Sequence, residues 1–176
     1  MPELMVKVVG AAFIMAAAVA FGENKARFLE QRVRQLQQFQ RSLKLLTAEI
    51  TFSRSLLPAA FAQVSKQSDP PIRELYNCAA ELLSAGRELT AREAWEEALR
   101  LVYPQSSFTA ADREIIGSLG VSLGVSQQEG QIKQIQLVEQ HLSFALEAAR
   151  ENRHRQARLW RYLGFISGAA LIILLL

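Results

Sequence analysis

The sequence predicts an all-α protein: a six-helix bundle with a transmembrane helix at each end, continuous with the first and last helices of the bundle. Three observations predict it. Apolar residues recur at alternating spacings of three and four, the period of one helix face, and no run alternates with period two over strand length. Helix-start signatures appear at Thr90–Glu93, at Thr109–Asp112 and at Ser126–Glu129, pairs in which side chains satisfy free backbone N–H groups at the first turn. Both ends of the chain are apolar, and each is bordered on its inner side by Lys and Arg.

The first apolar segment runs from Leu4 to Gly22 and is interrupted only by Lys7. Nearly 20 residues suffice to cross ~30 Å of hydrocarbon if Lys7 snorkels outward. A cleavable export signal is the competing reading, with Ala18-Val19-Ala20 as the small-residue cleavage site. Lys25, Arg27, Arg32 and Arg34 follow directly, and a cleaved signal would carry those four charges across the membrane. A retained anchor over residues 1–22 is therefore expected.

From Glu23 to Phe52 the helix continues, with Leu29, Val33, Leu36, Leu43, Leu46 and Ile50 on one face. Gln40 and Thr47 interrupt a strict heptad, so the helix packs into a bundle instead of an extended coiled coil. Ser55-Leu56-Leu57-Pro58 opens a second helix to about Lys66, with proline in its first turn. Asp69-Pro70-Pro71 caps a third, which carries Ile72, Leu75, Tyr76, Ala79, Leu82 and Leu83 and ends at Gly86. The fourth follows Thr90, holds Trp95, Ala98, Leu99 and Val102, and stops at Pro104. A fifth follows Thr109 and ends in a string containing Gly117, Gly120 and Gly124. Ser126 starts the sixth, in which Ile132, Ile135, Val138, Leu142, Ala145 and Ala149 share a face. Past Arg150, Arg153, Arg155, Arg158 and Arg161, with Trp160 and Tyr162 among them, Leu163 to Leu176 carries no charge and is apolar all round. The expected organisation is an anchor at 1–22, a helical cytoplasmic domain at 23–158 and an anchor at 159–176.

Charge supports that layout. The net +3 divides unevenly: residues 23–54 hold seven Lys or Arg against three acids, residues 150–161 five against one, and residues 66–147 seven against twelve. An acidic body between basic flanks suits a domain whose two ends face lipid headgroups. Lys25, Arg27, Arg153, Arg155, Arg158, Trp160 and Arg161 are the expected membrane-interface anchors, and membrane lipid the expected contact. Nucleic acid is not an expected partner, because no basic body interleaved with aromatics is present.

Catalytic constellations are missing. His141 and His154 lie thirteen residues apart with no Cys or carboxylate at ligand spacing, so no metal site is expected. Neither a nucleophile elbow nor a phosphate loop ending in Lys-Ser/Thr occurs. The glycine string precedes a capped helix but has no strand before it and no cation until Lys133, which favours close helix approach over phosphate binding. The lone Cys78, in a helical pattern, is expected to be a buried small hydrophobe. No cofactor is expected and no enzymatic activity. Glu93, Glu96 and Glu97, three and four residues apart, form an acidic patch that could be a solvated face or a docking surface for a basic partner.

The ordered set of local patterns resembles the stage III sporulation protein AB family, whose soluble domain is similar to those of type II secretion system F platform proteins. It comprises Leu43 to Ile50 followed by Ser55-Leu56-Leu57-Pro58-Ala59-Ala60-Phe61, then Gly86 before the Trp95 helix, then Leu119-Gly120 and Leu123-Gly124 leading into Gln127, Gln128 and Gln131. The stretch from Leu159 to Gly168 and the leucine/isoleucine tail complete it. Leu57 precedes Pro58 where the family usually has proline then leucine. The resemblance implies a non-enzymatic platform in the channel-like assembly between mother cell and forespore. It implies a place in the mother-cell-side membrane, with the soluble domain cytoplasmic. Its implied partners are a cytoplasmic secretion-type ATPase and other sporulation channel components; a homo-oligomer is a separate expectation. A membrane-bound accessory subunit, whose active site forms only with a partner, is the alternative from another functional class.

Overall fold

The computed structural model describes residues 2–53, 56–85, 89–121, 123 and 128–175, with side chains of the two terminal helices described in part. Among the described residues six α-helices follow one another: α1 (Pro2–Ala48), α2 (Leu57–Lys66), α3 (Ile72–Ser84), α4 (Ala91–Val102), α5 (Ala110–Ser118) and α6 (Gln128–Leu175). No strand occurs among the described residues. The chain divides into two compact units, one of residues 32–148 and one of residues 1–31 with 149–176.

In the larger unit, α2 packs on α3 and α3 on α4. The buried stripe of α1 is Val33, Leu36, Phe39, Leu43 and Leu46, and Ile50 in the turn that follows continues it in steps of three and four. Phe39 fills the gap that Gln40 had suggested in the apolar face. Instead of continuing to Phe52 as an α-helix, α1 ends at Ala48 and gives way to a π-helical turn, Glu49–Ser53. Sequence periodicity does not distinguish the two, because the turn keeps Ile50 buried. Pro58 sits in the first turn of α2, where its missing N–H costs nothing. Gly86, Ser126 and Gly124 lie outside the described residues.

Four aromatic rings fill the centre. Tyr76 lies 5.3 Å from Trp95 and 5.6 Å from Phe61, and Phe39 lies 6.3 Å from both Tyr76 and Trp95, measured between centroids. The polar atoms of this cluster are satisfied. Trp95 Nε1 donates to the carbonyl of Ile116 at 2.9 Å, and Ser42 Oγ donates to the Tyr76 hydroxyl at 3.2 Å. Burial pushes the Tyr76 hydroxyl pKa well above its ordinary value, only partly offset by Ser42, so the phenol stays neutral.

Two capping boxes start α4 and α5 as expected, Thr90 with Glu93 and Thr109 with Asp112. The proposed cap of α3 is different. Pro71 occupies the N-cap with no side-chain bond, while the Asp69 carboxylate accepts from Gln38 Nε2 at 3.0 Å across to α1. Asp69 thus serves both ways: its carboxylate reaches α1 and also lies 4.0 Å from Arg73 Nη2, and its backbone carbonyl accepts from the Arg73 N–H at 3.0 Å. After α5, the short turn Leu119–Val121 brings Gly120 against α4. A Cβ at Gly120 would stand 3.1 Å from Trp95 Cδ1 and 3.6 Å from the Arg92 carbonyl oxygen. This is the close approach that the glycine string predicted. Since Trp95 is fully buried, Gly120→Ala should lower stability by about 1–3 kcal/mol. A urea midpoint equal to that of the parent protein would rule this out.

In the smaller unit, Gly22, Ala26 and Ala149 are buried. Large apolar side chains elsewhere in it are exposed, among them Phe13 (74%), Phe21, Phe28, Leu159, Tyr162 (61%) and Ile166. The backbone is helical from Pro2 and to Leu175, so both end segments continue the helices of the larger unit. Most side chains of the two expected anchors lie outside the described residues, and among the described residues no helix is long and apolar enough to cross a membrane.

Candidate functional site

Three clusters of charged side chains are the candidates, and the first is the acidic face of α4. Each carboxylate there is engaged by its own helix. Glu93 closes the capping box, accepting from the Thr90 backbone N–H and hydroxyl at 2.8 Å. Those bonds, the backbone one foremost, hold its carboxyl below the usual range. Arg100 donates twice to Glu97 at 2.7 Å, which likewise lowers that carboxyl. Glu96 accepts from Arg92 Nε at 2.7 Å. The structure thus brings the three acids onto one exposed stretch, but as an alternating ladder with two arginines, not as a bare negative patch.

The second cluster is the basic flanks. Lys25 lies over the Phe21 ring, 5.9 Å from its centroid, and Arg27 meets Glu23 at 3.4 Å. Arg155 pairs with Glu151 at 3.0 Å, Arg153 is half-buried and His154 is exposed. The side chains of Arg158, Trp160 and Arg161 lie outside the described residues.

Arg32 departs from the expectation that grouped it with these flanks. Its Nε and Nη2 donate to Asp112 Oδ2 and Oδ1 at 2.8 and 3.0 Å, a two-pronged pair with 12% and 1% of the side chains exposed. Asp112 also accepts from the Thr109 N–H at 2.8 Å. Burial alone would push this carboxyl up, but the bonds from Arg32 and Thr109 outweigh it and hold the carboxyl below the ordinary range. One turn further along α1, Gln35 Oε1 accepts from the Ser107 N–H at 2.7 Å. Arg32 and Gln35 together fix the connection between α4 and α5. The local capping signature made Asp112 visible in the sequence, but nothing local pointed to a partner 80 residues away.

Residues with catalytic or ligating chemistry are scattered. Among the described residues no group of three or more His, Cys, Asp or Glu could hold a metal ion. His141 is exposed on α6. Cys78 is half-buried instead of buried, because it lies near the rim of α3 and not on its inner stripe. Burial, then the nearby Glu81 and Glu97 carboxylates, push its thiol up and away from a reactive thiolate.

Comparison with known proteins agrees with this arrangement. The family model for stage III sporulation protein AB matches residues 7–176. Stage III sporulation protein AB of Bacillus subtilis (strain 168) is 31% identical over 172 residues, spanning 98% of this chain and the full length of the relative. A solved structure of a stage III sporulation protein AB superposes with a TM-score of 0.66 at 29% identity, covering 71% of this chain and 98% of that one. A family model matched over nearly the whole chain, and a relative matched over its full length, lead to one conclusion: the chain belongs to the stage III sporulation protein AB family.

Proposed function

We propose that this protein is a non-enzymatic, membrane-anchored platform in the channel-like sporulation assembly between mother cell and forespore. Residues 23–158 stand in the mother-cell cytoplasm, and the segments 1–22 and 159–176 hold them to the mother-cell-side membrane. The observation that carries the reading is the outward display of Phe13, Phe21, Leu159, Tyr162 and Ile166 on the two terminal helices. Phe52, Leu56 and Phe144 of the larger unit are exposed as well, but the end segments combine such side chains with stretches nearly free of charge, Leu4 to Gly22 and Leu163 to Leu176, and that combination is ordinary against lipid. Lys25, Arg27, Arg153 and Arg155 border those segments, at the level where lipid headgroups begin.

A secretion-type ATPase is the proposed soluble partner. Its support is the likeness of the family's soluble domain to secretion platform proteins. The rigid aromatic core and the scattered distribution of reactive side chains suit a body that transmits contacts. Membrane attachment is tested by alkaline carbonate extraction of sporulating cells, with the full chain expected in the pellet. Reporter fusions at residue 90 and after Leu176 should report opposite sides of the membrane. A chain released by carbonate, or a mature N-terminus at Phe21, would remove the anchored reading.

A further inference from the structure

The smaller unit gathers the basic flanks of the chain. Residues 21–31 and 149–162 belong to it and hold seven Lys or Arg against three acids. Two of those acids are already paired on their own helices, Glu23 with Arg27 and Glu151 with Arg155. The third, Glu30, is half-buried and has a partner of its own. Lys25, Arg150 and Arg153 meet no carboxylate among the described residues. Lys25 leans back one turn over the Phe21 ring, as a helical side chain directed toward the N-terminus does. Arg153 is half-buried and gains no anion in exchange for the water it loses.

Beyond these cations the same two helices carry stretches with no charged side chain, Val8 to Gly22 and Tyr162 to Leu176. At about 1.5 Å per residue, Lys25 lies about 5 Å from Gly22 along α1, and Arg153 about 14 Å from Tyr162 along α6. A headgroup layer is about 5–8 Å deep, so both cations stand within about one Debye length of it. We propose that this basic collar recruits anionic phospholipid, gathering lipids of net negative headgroup around the terminal helices in preference to neutral ones. Charge names the occupant: unpaired cations attract an anionic headgroup and gain little from a zwitterionic one. The acid excess of residues 66–147 is repelled by the same lipids, which confines the attraction to the collar. The inference rests on the anchored reading and adds the class of lipid to it.

The test mixes the full chain in mild neutral detergent with equal amounts of phosphatidylglycerol and phosphatidylcholine, then re-isolates it and quantifies the retained phospholipid. Phosphatidylglycerol should be enriched at least about fivefold, the factor for one cation near an anionic surface. At about 1 M salt, where the Debye length falls to about 3 Å, the enrichment should vanish. Lys25→Glu with Arg153→Glu removes the surplus of four positive charges and should return the two lipids to equal shares. Lys25→Arg with Arg153→Lys keeps the charge and should keep the enrichment. Arg41→Glu with Lys66→Glu, at exposed positions of the larger unit, changes net charge equally and should leave the enrichment within about twofold. Circular dichroism on every variant establishes that it is folded. The proposal is overturned if the parent chain retains the two lipids in equal shares at low salt, or if high salt leaves the enrichment unchanged. It also fails if Lys25→Glu with Arg153→Glu enriches like the parent, or if Arg41→Glu with Lys66→Glu abolishes the enrichment as fully. Carbonate extraction keeps the two readings apart. A chain in the membrane pellet that shows no lipid preference defeats this inference alone, whereas a chain released by carbonate defeats the anchored reading.

Discussion

Trp95→Ala should cost about 3–5 kcal/mol of stability, the usual range for deleting a large aromatic from a core. The indole is fully buried, and Tyr76 and Phe61 lie 5.3 and 5.6 Å away. Removing it opens a void that three rings cannot close together. It also takes the donor from the Ile116 carbonyl at the end of α5. Trp95→Phe separates the two contributions: the ring volume is largely kept, so the residual loss reports the missing N–H bond, about 1–2 kcal/mol. Urea unfolding followed by circular dichroism measures both. A loss below about 1 kcal/mol for the alanine variant would place Trp95 outside the core.

The second large effect is expected at the Arg32–Asp112 pair. Removing either partner leaves a desolvated charge, which costs about 3–5 kcal/mol in a buried pair, and the lower end applies because Arg32 keeps some solvent contact. Arg32→Met with Asp112→Asn should lose less than the two single changes combined, since neither charge is then stranded. The pH dependence follows from the depressed carboxyl of Asp112. Above the unfolded value of roughly 3.9 the pair contributes its full stability. The contribution is lost as pH falls through the lower, folded value. Acid titration of the helical signal should therefore show a flatter stability profile for Asp112→Asn than for the parent protein below about pH 4. Identical acid profiles would detach Asp112 from the acid response.

What the sequence made legible was whatever depends on near neighbours. Thr90 with Glu93, Pro58 in a first turn and the stripe of α1 are set within a few residues, and the structure has them where the spacing put them. Even Phe39 was open to view, three residues after Leu36 and four before Leu43, although Gln40 drew attention to the polar position beside it. Long-range pairing was not legible. Arg32 sits in a row of cations beside an apolar segment, and charge counting assigns it to lipid; only the fold supplies Asp112. Asp69 is similar in part: the segment before two prolines does start α3, with Pro71 at the N-cap, but the bond from Gln38 to the Asp69 carboxylate was not legible. The α4 acids were correctly placed on one helix, yet Arg92 and Arg100 in the same stretch were not set against them.

The π-helical turn at Glu49–Ser53 has a bearing on how the chain tolerates changes in length. A turn closed by i→i+5 bonds takes up one residue more than an α-turn. A residue added or removed inside α1 rotates everything on one side by about 100° and turns the buried stripe outward. At the π turn the same change re-phases nothing upstream, since Leu43 and Leu46 are already placed. Downstream, α2 begins afresh at Leu57 with its own proline start. The junction between α1 and α2 is therefore the seam at which related chains can differ by a residue without repacking the aromatic centre.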